Sequence, residues 1–189
     1  HGFTSAQDDM DLPAMARATA GLVATLGVEP DLVIGHSAGA AIAARMVLDQ
    51  AVAPRTLVSI GGALTPFPGA AAVLFPAAAK LLFLNPLVPQ LFTWTAGLQG
   101  ETGRFLTRST GSHIDARGAR LYERLFRSNG HVRATLGMMA SWDLVPIQRD
   151  LPQLGVPLLL LHGERDRAVP YSTAEAVAAL VPGARLVPL

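Results

Sequence analysis

Residues 31–41 read DLVIGHSAGAA, and this short stretch decides the fold class. The apolar run of residues 32–34 predicts a strand, and the small residues after Ser37 predict a helix that begins at once. Between the two, residues 35–39 match the pattern G-x-S-x-G, which places a serine on a sharp turn between a strand and a helix. The stretch therefore predicts an α/β domain with a nucleophilic serine at the end of a strand.

The candidate nucleophile is Ser37, held on an elbow formed by Gly35, His36 and Gly39. Small neighbours suit such a turn because the backbone must approach itself closely there. The backbone N–H of Ala38, directly after the serine, is the expected donor to an oxyanion. The alternative is an ordinary glycine turn in which the serine only caps the helix.

The composition restricts the class of protein. The chain has 189 residues, half of them hydrophobic, and no cysteine, which excludes disulfides and thiolate metal sites. A net charge of +1 gives no reason to expect a nucleic-acid partner. The longest apolar stretch, residues 69–98, is interrupted by prolines and Lys80, so we expect no transmembrane segment. We also expect no metal site and no cofactor.

The pattern of strands and helices predicts the domain organisation. Strand-like runs at 31–35, 55–61, 157–162 and 184–189 alternate with helical patterns at 11–26, 37–49 and 172–181. This alternation is typical of a parallel sheet. Between them lie a glycine-rich turn (Gln99–Gly103) and helical patterns at 114–127 and 131–142. We expect a core of residues 1–61 and 149–189 with an inserted helical cap of residues 62–148.

The candidate acid is Asp166, in the loop HGERDRAVP of residues 162–170. It follows the strand 157–162, and active sites of parallel sheets gather at the carboxyl ends of strands. Glu164 is the weaker alternative acid. The alternative role for Asp166 is a surface pairing with a neighbouring arginine.

The expected base is a histidine that follows the acid in the chain. All five histidines precede Asp166, so the catalytic histidine is not present among them. The chain begins with His1 and ends inside a strand-like run, and we therefore expect a piece that lacks both ends of its protein. On that expectation the piece alone is inactive, aggregates readily and exposes a sheet edge at residues 31–35.

Essentially the whole chain resembles the α/β-hydrolase superfamily, on the phrases VIGHSAGA and HGERDRAVP, the inserted cap and the order of serine before acid. The resemblance implies a mostly parallel sheet with a helical cap. It places residues 1–61 between the loop after strand four and strand six, and residues 149–189 at strands seven and eight. It also implies hydrolysis of an ester through an acyl-enzyme.

The cap phrases TGSHIDARGARLYERLF and HVRATLGMMASWDLVP, with the apolar stretch before them, resemble the magnesium chelatase accessory family of bacteriochlorophyll synthesis. That resemblance implies a tetrapyrrole or ester ligand, chelatase subunits as partners, and a cytoplasmic protein at the periphery of a photosynthetic membrane. It leaves open a hydrolase, a non-catalytic porphyrin- or chelatase-binding protein, or a general carboxylesterase. The candidate ligand contacts, whose alternative role is packing within the cap, are Trp94, His131, Met138 and Trp142.

The cap is also the basic part of the chain. Residues 62–148 carry eight basic and four acidic side chains. A solvated helix surface accounts for such a surplus, and a site for an anionic ligand is the alternative.

Overall fold

The computed structural model describes residues 9–66, 78, 80–82, 85, 87–96, 100–111 and 113–189. The chain divides into two compact units. The first, called the sheet unit below, consists of Asp11–Gly69 and Asp143–Leu189. The second, the helical unit, includes Ala70–Trp142 and is shorter at both ends than the predicted cap of residues 62–148.

The sheet unit contains four parallel strands in the order β1-β2-β3-β4. Their bounds are β1 Leu32–His36, β2 Thr56–Ile60, β3 Leu158–His162 and β4 Arg185–Pro188. The register pairs Gly35 with Ser59, Leu57 with Leu158, and Leu160 with Leu186. The strands lie within one residue of the predicted runs, and the parallel α/β class is confirmed.

Burial within the sheet follows the apolar content of each strand. The central strands β2 and β3 carry Leu57 and Leu160 at 0% and 2% exposure, as expected for a parallel sheet covered on both faces. In the described sheet β1 is an edge strand, and its Leu32 and Ile34 are 51% and 58% exposed. The exposed apolar edge expected at residues 31–35 is therefore present.

The helices with defined bounds are α1 Leu12–Thr25, α2 Ala38–Leu48, α3 Leu87–Ala96, α4 Glu101–Thr110, α5 Ala116–Phe126, α6 Asn129–Ala140, α7 Val145–Asp150 and α8 Tyr171–Leu180. In the sheet unit α1 packs on α2, α2 on β1, and α8 on β3 and β4. The Asp11 carboxylate caps α1 by accepting from the N–H of Ala14 at 2.8 Å. Leu22 on α1 and Leu26 directly after it are also exposed apolar residues of the sheet unit.

In the helical unit α3 packs against α4, α5 and α6, and α5 packs against α4 and α6. The predicted turn over Gln99–Gly103 is wrong from Glu101 onward, because α4 already begins there. Gly100 has a φ of 76°, so one left-handed residue completes the turn. Among the described residues, no helix combines the length and apolar character needed to span a bilayer.

Candidate active site

Ser37 lies on the turn between β1 and α2 in a strained backbone conformation. Its φ is 52° and its ψ is −123°, a region that residues with a side chain rarely adopt. Its N–H donates to the carbonyl of Ile60 at 3.0 Å, and its carbonyl accepts from the N–H of Ala63 at 3.1 Å. The residues around the end of β2 therefore hold the serine in this conformation from both sides.

The turn requires a glycine at position 35 for steric reasons. A Cβ on Gly35 would lie 2.4 Å from the Cα and 2.6 Å from the N of Ala40, and 2.6 Å from the carbonyl oxygen of Gly39. The helix therefore passes directly over the end of β1. At Gly39 an added Cβ would meet no atom within 4 Å, so the second glycine of the pattern has open space beside it.

The Ser37 side chain does not act as a helix cap. The residue occupies the N-cap position of α2, yet its hydroxyl makes no capping hydrogen bond, and the residue is half-buried. The alternative of a merely capping serine therefore loses its main support. Ala38 is the first residue of α2, and amides in the first turn of a helix have no acceptor within the helix. Its N–H points where an anion is favoured by the helix dipole.

Asp166 is fixed by its own loop after β3. Its Oδ1 accepts from the N–H groups of Ala168 and Val169 at 2.8 and 3.0 Å, and its own N–H donates to the carbonyl of Gly163 at 3.1 Å. The side chain is 24% exposed. No hydrogen bond to Oδ2 comes from the described residues, so this second oxygen remains available to orient a base.

The end of β2 lies between the serine strand and the acid loop. Gly61 has a φ of 50°, and a Cβ added to it would lie 3.3 Å from Oδ2 of Asp166. A Cβ on Gly62 would lie 2.1 Å from Oγ of Ser59 and 2.7 Å from Cβ of Ala40. These two glycines were not among the residues predicted for the site. Their signal was the pair GG directly after a strand that neighbours the serine strand.

His162 lies beside the candidate acid, and its burial and contacts argue against it as the base. It is 2% exposed, and its Nε2 lies 2.9 Å from the carbonyl oxygen of Val169 and 3.8 Å from Oδ2 of Asp166. Its ring also packs edge-on against Tyr171. A buried imidazole engaged in this way is out of reach of a substrate. The alternative acid, Glu164, is exposed, and its N–H donates to the carbonyl of Leu189.

The four candidate ligand contacts lie on the helical unit. Trp94 on α3 is 66% exposed, whereas Met138 on α6 and Trp142 after it are half-buried. His131 on α6 stacks on Phe126 with ring centroids 6.5 Å apart. Burial lowers the pKa of His131, and its Nδ1 is buried without a hydrogen-bond partner among the described residues.

The helical unit also contains a basic cleft with a volume of about 360 Å³. The cleft is lined by Gly100, Gly103, Arg104, Thr107, Arg108, His113 and Ile114. Arg104 pairs with Glu101, whereas Arg108 has no ion-pair partner among the described residues. Within the described part of the chain, no group of three His, Asp or Glu side chains is arranged to hold a metal ion.

Comparison with known proteins identifies the family. A family model described as alpha/beta hydrolase fold matches residues 1–188. The chain belongs to the α/β hydrolase fold family. The chain is also 39% identical over 188 residues to a protein of Rhodobacter capsulatus named "Magnesium-chelatase 30 kDa subunit". The match covers 98% of this chain and 65% of that relative, so the chain spans just under two thirds of its length.

Solved structures of α/β hydrolases share the fold. An alpha/beta hydrolase fold protein from Burkholderia ambifaria matches with a TM-score of 0.73 and 14% identity, over 97% of this chain and 67% of the other. A bromoperoxidase from Bacillus anthracis matches with a TM-score of 0.69 and 16% identity, over 100% of this chain and 70% of the other. An esterase from Exiguobacterium antarcticum matches with a TM-score of 0.65 and 17% identity, over 95% of this chain and 65% of the other. At these identities the similarity shows the fold alone, and the reaction has to be inferred from the residues of the site.

Proposed function

We propose that this α/β hydrolase is a serine hydrolase in which Ser37 attacks the carbonyl carbon of an ester or thioester. The observation that carries the proposal is the strained backbone of Ser37, which has a φ of 52°. Helix capping does not account for this strain, because the hydroxyl of Ser37 makes no capping hydrogen bond. Strain of this kind persists where the surrounding structure enforces it, and it is concentrated at active sites. A hydroxyl that makes no capping hydrogen bond is left for attack on a substrate.

The proposed mechanism assigns one task to each group. Ser37 Oγ forms a bond to the carbonyl carbon while its proton passes to a histidine, and the N–H of Ala38 stabilises the resulting oxyanion. The leaving alcohol or thiol then takes the proton, and water releases the acid from the acyl-enzyme. Asp166 orients the histidine through Oδ2. The expected order places that histidine after Asp166, and sequencing the gene beyond codon 189 tests for it: a Gly-His shortly after β4 supports the triad.

We also propose the cellular role from the similarity to the Rhodobacter protein. A 39% identity to a magnesium-chelatase 30 kDa subunit favours an accessory role beside magnesium chelatase in bacteriochlorophyll synthesis, with chelatase subunits as partners. On this proposal the protein works in the cytoplasm, at the periphery of a photosynthetic membrane. Co-purification of tagged protein with chelatase subunits supports the role, and their consistent absence at low salt argues against it.

A fluorophosphonate probe tests the nucleophile directly, because the probe reacts covalently only with an activated serine. The experiment uses the protein with the sequence that flanks this chain in its gene. We expect labelling that Ser37→Ala abolishes and that Ser141→Ala, an exposed serine after α6, leaves unchanged. Circular dichroism of both variants shows whether they fold. Equal labelling of the Ser37→Ala variant, or no labelling of folded wild type, would refute the proposal.

A second candidate function is non-catalytic binding of a tetrapyrrole, and the basic cleft favours it. Arg104, Arg108 and His113 line a cleft that suits carboxylates such as those of a porphyrin. On this alternative, protoporphyrin fluorescence changes on titration, Ser37→Ala has no effect, and Arg108→Ala weakens binding. Turnover of simple esters without any response to protoporphyrin would instead favour a general carboxylesterase.

A further inference from the structure

One side of α3 presents large apolar side chains to solvent. Leu87, Leu91 and Trp94 are 66%, 60% and 66% exposed, and their spacing of four and three residues places them on one face, called the α3 face below. On another side of the helix Pro89 is buried. The α3 face thus presents an apolar stripe to solvent, whereas the apolar stripe of a helix in a soluble unit usually faces the core.

The neighbouring helix α5 carries a row of exposed arginines. Arg117, Arg120 and Arg124 are exposed and follow one another at spacings of three and four residues. None of the three forms an ion pair with a described residue. Since α5 packs against α3, the arginine row and the α3 face belong to adjacent helices. Residues 70–142 as a whole carry eight basic and three acidic side chains.

We propose that the helical unit docks on the surface of an anionic phospholipid bilayer, with the α3 face inserted among the lipids and the α5 arginines at the head groups. Tryptophan and leucine on one helix face, beside clustered arginine, are the combination that binds such interfaces. The positive charge of the helical unit favours an anionic bilayer as the partner, because an uncharged apolar partner would leave the three arginines of α5 without counter-charges. The inference is independent of the proposed hydrolase reaction, since neither Ser37 nor Asp166 takes part in it, and it deepens the proposed position at a membrane by naming the surface and the lipid charge that would hold the protein there.

Vesicle flotation tests this inference without confusion by aggregates, because aggregated protein sinks in a density gradient while bound protein rises. The probes are vesicles of equal parts phosphatidylglycerol and phosphatidylcholine, and vesicles of phosphatidylcholine alone. We expect flotation with the anionic vesicles, and much less with the neutral ones. Each arginine near the surface contributes about fivefold to partitioning, so replacing all three α5 arginines by glutamine should weaken it on the order of a hundredfold.

Matched variants separate the proposed surface from general charge and stickiness. Leu91→Ser and Trp94→Ser should each weaken partitioning about tenfold or more, while Leu22→Ser, an equally exposed leucine on α1, should not. A control variant replaces Arg17, Arg55 and Arg185, all exposed in the sheet unit, by glutamine. It makes the same change in net charge as the α5 variant and should retain binding.

A spectroscopic readout locates the contact at Trp94. The chain has two tryptophans, so a Trp142→Phe variant reports on Trp94 alone, and its emission should shift to the blue on anionic vesicles. No flotation of the wild type, equal flotation with neutral vesicles, or equal loss in the control variants would overturn the proposal. An emission shift with protoporphyrin but none with vesicles would also overturn it and would make the α3 face a ligand surface.

Discussion

The close passage of α2 over the end of β1 predicts that Gly35→Ala is far more damaging than Gly39→Ala. The two glycines stand symmetrically around Ser37 in the sequence, but only the space beside Gly35 is filled. A Cβ there would lie 2.4 Å from the Cα of Ala40, against an ordinary contact distance of 3.4–4 Å. The atoms it meets belong to the backbone, so no side chain can rotate away to make room.

The overlap of about 1 Å must be relieved by moving the first turn of α2 away from the sheet. Overpacking in a core costs about 1–3 kcal/mol, and the upper end applies because backbone hydrogen bonds of Ser37 move with the helix. We therefore expect Gly35→Ala to lower the free energy of unfolding by about 3 kcal/mol. Gly39 lies within α2 in open space, and alanine there should raise it by up to about 1 kcal/mol.

Thermal unfolding followed by circular dichroism measures both effects. For a chain of this length about 3 kcal/mol corresponds to a fall in Tm of about 10 °C. The Gly39→Ala variant controls for the loss of glycine flexibility, because it makes the same chemical change four residues away. Equal Tm values for the two alanine variants would refute the reasoning, as would a Gly35→Ala protein as stable as wild type.

Three further outcomes are expected. Ser37→Gly should relieve the positive φ and raise the unfolding free energy by about 1 kcal/mol while abolishing probe labelling; a lower Tm than wild type would contradict this. Hydrogen bonds from Arg149 and Arg45 lower the pKa of Asp150, so their stabilisation is complete above the ordinary carboxyl pKa and is lost as pH falls through the folded value. Asp150→Asn should therefore lower Tm at neutral pH, and the difference from wild type should shrink as pH falls below the ordinary carboxyl pKa of about 4; a difference that stays the same at low pH would exclude the hydrogen bonds of Asp150 as the cause. Finally, Ile34→Lys on the exposed edge strand should reduce self-association in light scattering, and unchanged scattering would show that another surface is responsible.

The sequence was sufficient to locate the strands because each is a short apolar run with turn residues close by. The strand predicted at 157–162 is found at Leu158–His162, and the one at 55–61 is found at Thr56–Ile60. The prediction of a turn over Gln99–Gly103 was wrong from Glu101 onward, because both glycines among these five residues were interpreted as turn residues. Only Gly100 adopts a left-handed conformation, whereas Gly103 lies inside α4, where an added Cβ would contact Ala119 at 3.8 Å.

The details of the site depend on contacts between residues distant in sequence. The pattern G-x-S-x-G treats its two glycines alike, and only the three-dimensional path of α2 distinguishes Gly35 from Gly39. Likewise, nothing local to Asp166 indicates that Gly61 lies beside its carboxylate. Gly61 lies there because β2 pairs with β3. The sequence predicts a parallel sheet but not which strands are neighbours in it. Hydrophobic periodicity predicts helices and strands, but it does not predict which of their atoms come into close contact.

The geometry around Asp166 also limits where a base can stand. Oδ1 is occupied by two backbone N–H groups of its own loop, and the buried His162 is turned to the carbonyl of Val169. In the proposed triad the base would therefore approach Oδ2, whose neighbour on the β2 side is Gly61. Because Leu189 donates to the carbonyl of His162 and accepts from the N–H of Glu164, the backbone that leaves β4 runs beside this same loop. On the proposed triad, a histidine carried after β4 would enter at the carboxyl edge of the sheet, where β1 and β3 bring Ser37 and Asp166, and this is the position that the proposed mechanism requires.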